Sequence, residues 1–330
     1  MARLYGPNPS PAVATTSFGK TPFAVPADCL EMSSFALVTP TYPGDLERCA
    51  FLCESVDSFV SGYTKHYLIV RDDCLKIFAH FAGPRRVVLP ASEFLPRWLK
   101  SMPHFVKRKG RQYWWSLRVP PADGWQVQQL LKIAAACSLP EDRYCMLDSD
   151  IVFFRPFDLA AYARPGSLRL YRQPGAIAEA LLPHAPWVAA THALLDLGAA
   201  AFPGHDFVTH IVFWDQRTVR AMVERVAAVS GTSWVEALCR ARYQLSEYML
   251  YGYFVMTNDA HAKDHWLCDD SLCTSYFDTE PLKQAAALEM LRGASSKVGF
   301  SVVSRSHTPL ALIRQILQSK DWAPQGGDCI

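Results

Sequence analysis

The sequence predicts an α/β protein built on a mostly parallel sheet with helices on both faces. Three observations predict it. Short apolar and β-branched runs alternate with amphipathic helical stretches through the first half, the pattern of parallel strands joined by crossover helices. Polar clusters stand at the carboxyl ends of three runs, at Thr39 to Tyr42, Asp72-Asp73 and Asp148 to Asp150. Open α/β sheets bind their ligands beyond those ends. Finally, 330 residues with 50% hydrophobic content can bury a substantial core, as one large domain or two small ones.

Residues 1–32 are rich in Pro, Ser and Thr, have no apolar core of signal-peptide length, and read as a mobile or surface-draped tail. Ser34 to Val38 is the first core strand, followed by the turn Thr39-Pro40-Thr41-Tyr42-Pro43-Gly44. Asp45 can cap a helix that carries Leu46, Cys49, Cys53 and Val56 at helical spacing. His66 to Val70 is a second strand ending in Arg71-Asp72-Asp73, a helical stretch runs from Cys74 to Phe81, and Arg86 to Leu89 is a third strand.

From Leu95 to Gly124 the sequence turns basic and aromatic, with Lys100, Lys107, Arg108, Lys109, Arg111, Tyr113, Trp114, Trp115 and Arg118. The segment is too short and isolated for a nucleic-acid surface and reads as a lid or insertion beside a site. In the next helix Val127, Leu130, Leu131 and Ala134 share an apolar face, with Gln128 and Lys132 one turn apart beside it.

Tyr144 to Leu147 then forms a buried strand that ends in Asp148-Ser149-Asp150, and apolar sequence resumes at Ile151 to Phe154. Two carboxylates between apolar runs are costly to desolvate unless a cation sits between them. A hard divalent ion held by carboxylate oxygens meets that need and keeps open positions for phosphate. The stretch resembles the DxD signature of GT-A-fold, nucleotide-sugar-dependent glycosyltransferases. The resemblance implies a GT-A, Rossmann-like sheet with the DxD motif at a strand end, and Asp148 and Asp150 holding Mn²⁺ or Mg²⁺ against the donor diphosphate. By the same pattern Thr39, Thr41, Tyr42 and Asp72 match positions that lie against the nucleotide, and Lys132 matches a group directed at the donor. Residues 33–330 are then one catalytic domain, its nucleotide-binding half at about 33–158 and its acceptor-side half at about 159–330. A haloacid-dehalogenase-like phosphatase with Asp148 as nucleophile is the rival chemistry, but about a hundred α/β residues precede Asp148, whereas that nucleophile usually lies near the start of its domain. A non-catalytic nucleotide-sugar-binding protein is the other alternative.

In the second half LRLYR is a strand, and HDFVTHIVFWD passes from strand to helix with His205, His210 and Trp214 around it. GT-A enzymes shape the acceptor pocket here, which makes His210 an acceptor-side candidate. Asp215 to Ser230 is a helix stopped by Gly231, and Ser233 to Glu236 is a capping box. In YQLSEYMLYGYFV, Ser246 caps a short helix that Gly252 ends. Glu247 lies there among aromatic neighbours that raise a carboxyl pKa, which suits a general base. Ser-Glu-Tyr-x-x-Tyr-Gly, with the Lys132 helix and DSDIVFFRPFD, resembles uncharacterised bacterial glycosyltransferase-like proteins of the DUF6492 type, over roughly Phe35 to His307.

Near the C-terminus Asp278 or Thr279 with Pro281 starts a helix ending at Gly293, Val298 to Val303 is a strand, and Thr308-Pro309 opens the last helix. Several GT-A families add a late histidine as a metal ligand, which points to His307, and Arg305 suits a diphosphate. The net charge of +2 gives no general polyanion-binding field, so nucleic acid is not an expected partner. The expected partners are a nucleotide-sugar donor, a UDP-sugar first, and a glycan or other hydroxyl acceptor, as in bacterial surface glycan synthesis. Of the ten cysteines, those inside apolar patterns read as small core residues. No stretch is long and clean enough for a transmembrane helix. A cytoplasmic protein is expected, and this leaves room for peripheral attachment at the inner membrane face.

Overall fold

Strand β1 (Phe35–Pro40) is buried along its whole length in the computed structural model, which describes residues 34–103, 107–108, 111–164, 166–181, 184–319 and 321–322. The expected tail and the side chains of Lys107, Arg108, Lys109 and Arg111 lie outside the described residues. Alternate residues of β1 face opposite ways. Phe35 and Leu37 join a core that includes Leu52 and Val56 of helix α1 (Leu46–Phe59). Ala36 and Val38 join another that includes Val127 and Leu130 of helix α2 (Gly124–Ser138). A strand covered on both faces has to be apolar throughout, which is why SFALV shows no polar alternation.

Strand β2 (Lys65–Val70) pairs parallel with β1, and β3 (Arg86–Pro90) pairs parallel with β2. The chain then crosses back, and β4 (Arg143–Leu147) pairs parallel with the other side of β1. The central sheet is completed by β6 (Ile211–Asp215), antiparallel to β4, giving the order β6-β4-β1-β2-β3. The strand order reverses between the parallel strands β1 and β4, and this is the topological switch point, where such a sheet opens a crevice at its carboxyl ends.

After β4 the chain leaves this sheet. Strand β5 (Ile151–Phe153) pairs antiparallel with β8 (Gly299–Val302), and β8 pairs parallel with β7 (Cys273–Tyr276). Asp148-Ser149-Asp150 therefore sits at the bend between two sheets. Helices α3 (His184–Leu195), α4 (Gln216–Ser230) and α5 (Glu247–Met256) complete the larger core, and α6 (Leu310–Ser319) closes a smaller one around β8.

Several local expectations hold. Asp215 caps α4 through the Thr218 amide and Gly231 ends it at φ +63°; Ser233 and Ser246 cap as predicted. Others need correction. Helix α5 runs through Gly252 to Met256. A Cβ at that position would stand 2.2 Å from the Phe207 ring, so the glycine permits close approach and does not stop the helix. Asp45 precedes α1 but makes no side-chain cap. The stretch after Asp72 is a single α turn, Leu75–Phe78, between 3₁₀ segments, and the helix expected from Asp278 begins at Gln284. The basic, aromatic segment supplies short antiparallel strands, Lys100–Ser101, Arg111–Trp115 and Ala122–Asp123, the last leading directly into α2.

Candidate active site

Helix α2 carries Lys132 into the interior, where a lone ammonium could not stay charged. Its Nζ lies 2.7 Å from Asp148 Oδ1, 3.0 Å from Glu247 Oε1 and 2.6 Å from the Tyr248 hydroxyl. Burial acts to lower its pKa, but Asp148, Tyr248 and Glu247 outweigh it and the ammonium is held well above its ordinary value. Burial raises the Glu247 carboxyl, with Lys132 opposing. The α5 start is fixed by Gln129, whose Oε1 accepts the Glu247 amide at 3.1 Å. One turn before Lys132 on α2, Gln128 directs Nε2 at Asp148 Oδ1 and at the Pro40 carbonyl, each at 3.4 Å.

Asp148, Asp150 and His210 form the group of metal-ligating residues found among the described residues, one ligand atom from each lying within 4.8 Å of the others. The histidine's place follows from strand register. Ile211 of β6 pairs with Leu147 of β4 in an antiparallel ladder, so the residue before Ile211 comes opposite the residue after Leu147. Ser275 at the end of β7 holds His210 Nδ1 at 2.9 Å, and the Phe277 ring stacks on the imidazole at 5.2 Å between centroids. Nδ1 being engaged, Nε2 is the nitrogen left for an ion, the arrangement by which outer groups orient a histidine ligand. Burial lowers the His210 pKa and keeps the imidazole neutral.

The two aspartates differ. Burial would push Asp148 up, but the Lys132 ammonium outweighs it and holds the carboxyl below its usual range. At Asp150 burial, then the charges of Asp148 and Asp45, push the carboxyl up to about 7 with Arg48 opposing, and its Oδ1 is buried without a hydrogen-bond partner. The Asp45 carboxylate accepts the Ser149 hydroxyl at 3.0 Å and ties the loop after β1 to the bend after β4.

The structure gathers some of the sequence-derived candidates and disperses others. Asp148, Asp150, Lys132 and Glu247 come together, and His210, expected on the acceptor side, lies beside the carboxylates. Tyr42 is 52% exposed beside the cluster, close enough to Asp150 for that charge to raise its hydroxyl pKa after burial and Asp45. Its ring folds over Gly44, where a Cβ would stand 2.3 Å from the ring carbons. Thr39 is corrected to a sheet residue. It is fully buried, and its hydroxyl bonds His66 Nε2 at 3.0 Å. Thr41 donates its amide to the Ile69 carbonyl at 2.9 Å and is half-buried. Asp72 is exposed and accepts the Ser92 amide at 3.1 Å, which organises the next turn. His307 is also corrected. It is exposed at φ +53° and does not belong to the cluster with the aspartates. Arg305 donates to the Phe277 carbonyl at 3.0 Å, so it supports the ring packed on His210. Asp269 and Asp270 are exposed and Asp270 pairs with Lys297.

Asp45, Ser149, Tyr248 and Ser275 are site residues that sequence reasoning missed. Ser149, between the two aspartates, and Tyr248, adjacent to Glu247, carried a signal; Asp45 and Ser275 depend on contacts between distant segments. Over residues 34–318 the chain matches a family model described as a family of unknown function. No curated protein matches it.

Proposed function

We propose that this chain, which belongs to the DUF6492 family, is a divalent-metal-dependent glycosyltransferase moving a sugar from a nucleotide-sugar donor, a UDP-sugar first, to a hydroxyl acceptor. The observation that carries the reading is position. Two carboxylates and an imidazole converge at the carboxyl end of β4, beside the loop after β1, at the switch point of an open parallel sheet. The residues fit an ion, since Asp150 offers a buried oxygen with no other partner and His210 a neutral imidazole. Asp148, Asp150 and His210 would hold it, and the mixed oxygen and nitrogen set suits Mn²⁺ better than Mg²⁺. A bound divalent ion neutralises charge developing on a departing diphosphate.

The chain's own residues supply the rest. Tyr42 presents an exposed ring at the cleft for the base. Lys132 keeps Asp148 ionised and adds positive potential behind it. Glu247, its proton affinity raised by burial, takes the acceptor hydroxyl proton in an inverting transfer. The phosphatase alternative would also need a downstream lysine and acidic pair, for which Asp269-Asp270 is the candidate, and Asp270 is paired with Lys297.

The test is thermal denaturation with a panel of nucleoside diphosphates, with and without Mn²⁺, followed by turnover of matching sugar donors. A ligand that binds only the folded form raises Tm; Mn²⁺ alone should raise it, and nucleotide should add a further rise only when Mn²⁺ is present. Nucleotide binding with no turnover of any donor would favour a binding protein. Phosphate release from an aryl phosphate would favour a phosphatase.

A further inference from the structure

Trp125, Trp187 and Tyr243 are aromatic side chains that no part of the donor site uses, and the same elements that build the site deliver them. Trp125 stands at the start of α2, three residues before Gln128 and seven before Lys132, so all three share one stripe of the helix. Along the axis Trp125 is about 10 Å from Lys132. Its ring is 40% exposed and stacks on Trp187 of α3, with centroids 6.0 Å apart and planes 28° apart. Trp187 donates Nε1 to the Tyr243 carbonyl at 3.0 Å. Tyr243 is 47% exposed and lies in a short 3₁₀ segment four residues before Glu247.

Two further features mark this group as built. Arg242, immediately before Tyr243, holds φ +53° and ψ −130°, a backbone region that residues with a Cβ rarely adopt. Such conformations persist where surrounding structure imposes them, and they cluster at functional positions. The rim is also polar. The His184 ring packs on Trp187 at 4.5 Å and pairs with Asp206 at 3.2 Å.

We infer that these three aromatic residues form a platform for a saccharide, the acceptor of the transfer, which rests on the glycosyltransferase reading above. Flat rings with polar edges match a pyranose, whose C–H face is apolar and whose hydroxyls point outward to a rim of donors and acceptors. A membrane-seating surface would instead present side chains free to insert, whereas Trp125 and Trp187 are stacked on each other and Trp187 is hydrogen-bonded. Location adds the second argument. A chain lying on the platform runs along α2 towards Gln128, whose amide reaches Asp148.

The experiment titrates the full chain with a panel of neutral oligosaccharides, the hexaoses of glucose, xylose and N-acetylglucosamine in their common linkages, by tryptophan fluorescence and calorimetry. Mn²⁺-dependent UDP binding is measured on the same samples. At least one saccharide should bind. Trp125→Ala and Trp187→Ala should each weaken it about ten-fold or more, the scale of a central aromatic contact, while Trp125→Phe retains most of the affinity and UDP binding persists. Should an alanine variant fail to fold, Tyr243→Ser gives the same readout from a more exposed ring. Absence of saccharide binding across the panel, or equal binding by Trp125→Ala and the parent, overturns the platform. So does binding to anionic phospholipid vesicles that Trp125→Ala abolishes without any saccharide binding. Saccharide binding without Mn²⁺-dependent UDP binding would keep the platform and defeat the donor reading instead.

Discussion

When an ammonium is buried among two carboxylates and a phenol, removing it strands all three. Lys132→Met should therefore cost about 3–5 kcal/mol of unfolding free energy at pH 8, read by urea denaturation. The cost should shrink towards pH 5. Burial raises Glu247 in the folded state, so the folded variant takes up a proton that the unfolded chain does not, and its stability increases as pH falls through that window. Asp150 obeys the same sign. Its carboxyl is pushed up to about 7 from an ordinary value near 3.8, so the metal-free protein loses stability as pH rises between those values. An ion on Asp150 must displace that proton below pH 7. The Tm increase caused by Mn²⁺ should be larger at pH 8 than at pH 5.5, and Asp150→Ala should remove both the increase and its pH dependence. An equal Mn²⁺ effect at the two pH values would contradict the ligand role. Glu247→Gln keeps the shape and Lys132 contact while removing the base, and transfer should fall about 10²–10⁴-fold with UDP affinity unchanged. Equal rates would make Glu247 only the support of Lys132.

At the level of elements, α5 depends on a missing side chain. Gly252→Ala forces a methyl group against the Phe207 ring, and overpacking of this kind costs about 1–3 kcal/mol. Chemical denaturation should show that loss with Mn²⁺-dependent nucleotide binding retained. The same glycine shows why sequence reading stopped where it did. Within its own helix a glycine is a terminator by propensity, and the reason for its presence is a ring in a different segment. His210 and His307 make the point for the site. Both sit beside strand ends in the sequence, and nothing local separates them. What separates them is that β6 runs antiparallel to β4, a pairing that alternation of apolar residues cannot specify. Thr39 failed for a related reason, since the hydroxyl that looked available after a strand is still inside it and bonded to His66. By contrast the caps at Ser233 and Ser246 are interactions within four residues, and they were legible.

For the molecule as a whole, the parallel half was readable because strands covered on both faces must be apolar runs, and Asp148-Ser149-Asp150 was readable because it interrupts one. The second sheet was not, because β5 is three residues long and finds its partner almost 150 residues later, at β8. The architecture makes a distributed prediction. Mn²⁺ with UDP should slow amide hydrogen exchange together in residues 40–45, 148–151 and 209–211, and leave the far edge strand β3 unchanged. Protection confined to one of these segments would show that the cleft is not assembled from all three. Among the described residues no helix is long and apolar enough to cross a membrane.

The antiparallel seating of β6 has a temporal meaning as well. This strand is the last of the central sheet to leave the ribosome and is held on one side only. Until it docks, a nascent chain owns both carboxylates but not the imidazole. A slip of one residue would turn every β6 side chain to the opposite face and offer Thr209 or Ile211 to Asp148. If the proposed ion binds there, its capture would work as a timestamp on maturation: an unfinished or misregistered chain would lack one of the three ligands until the edge has locked.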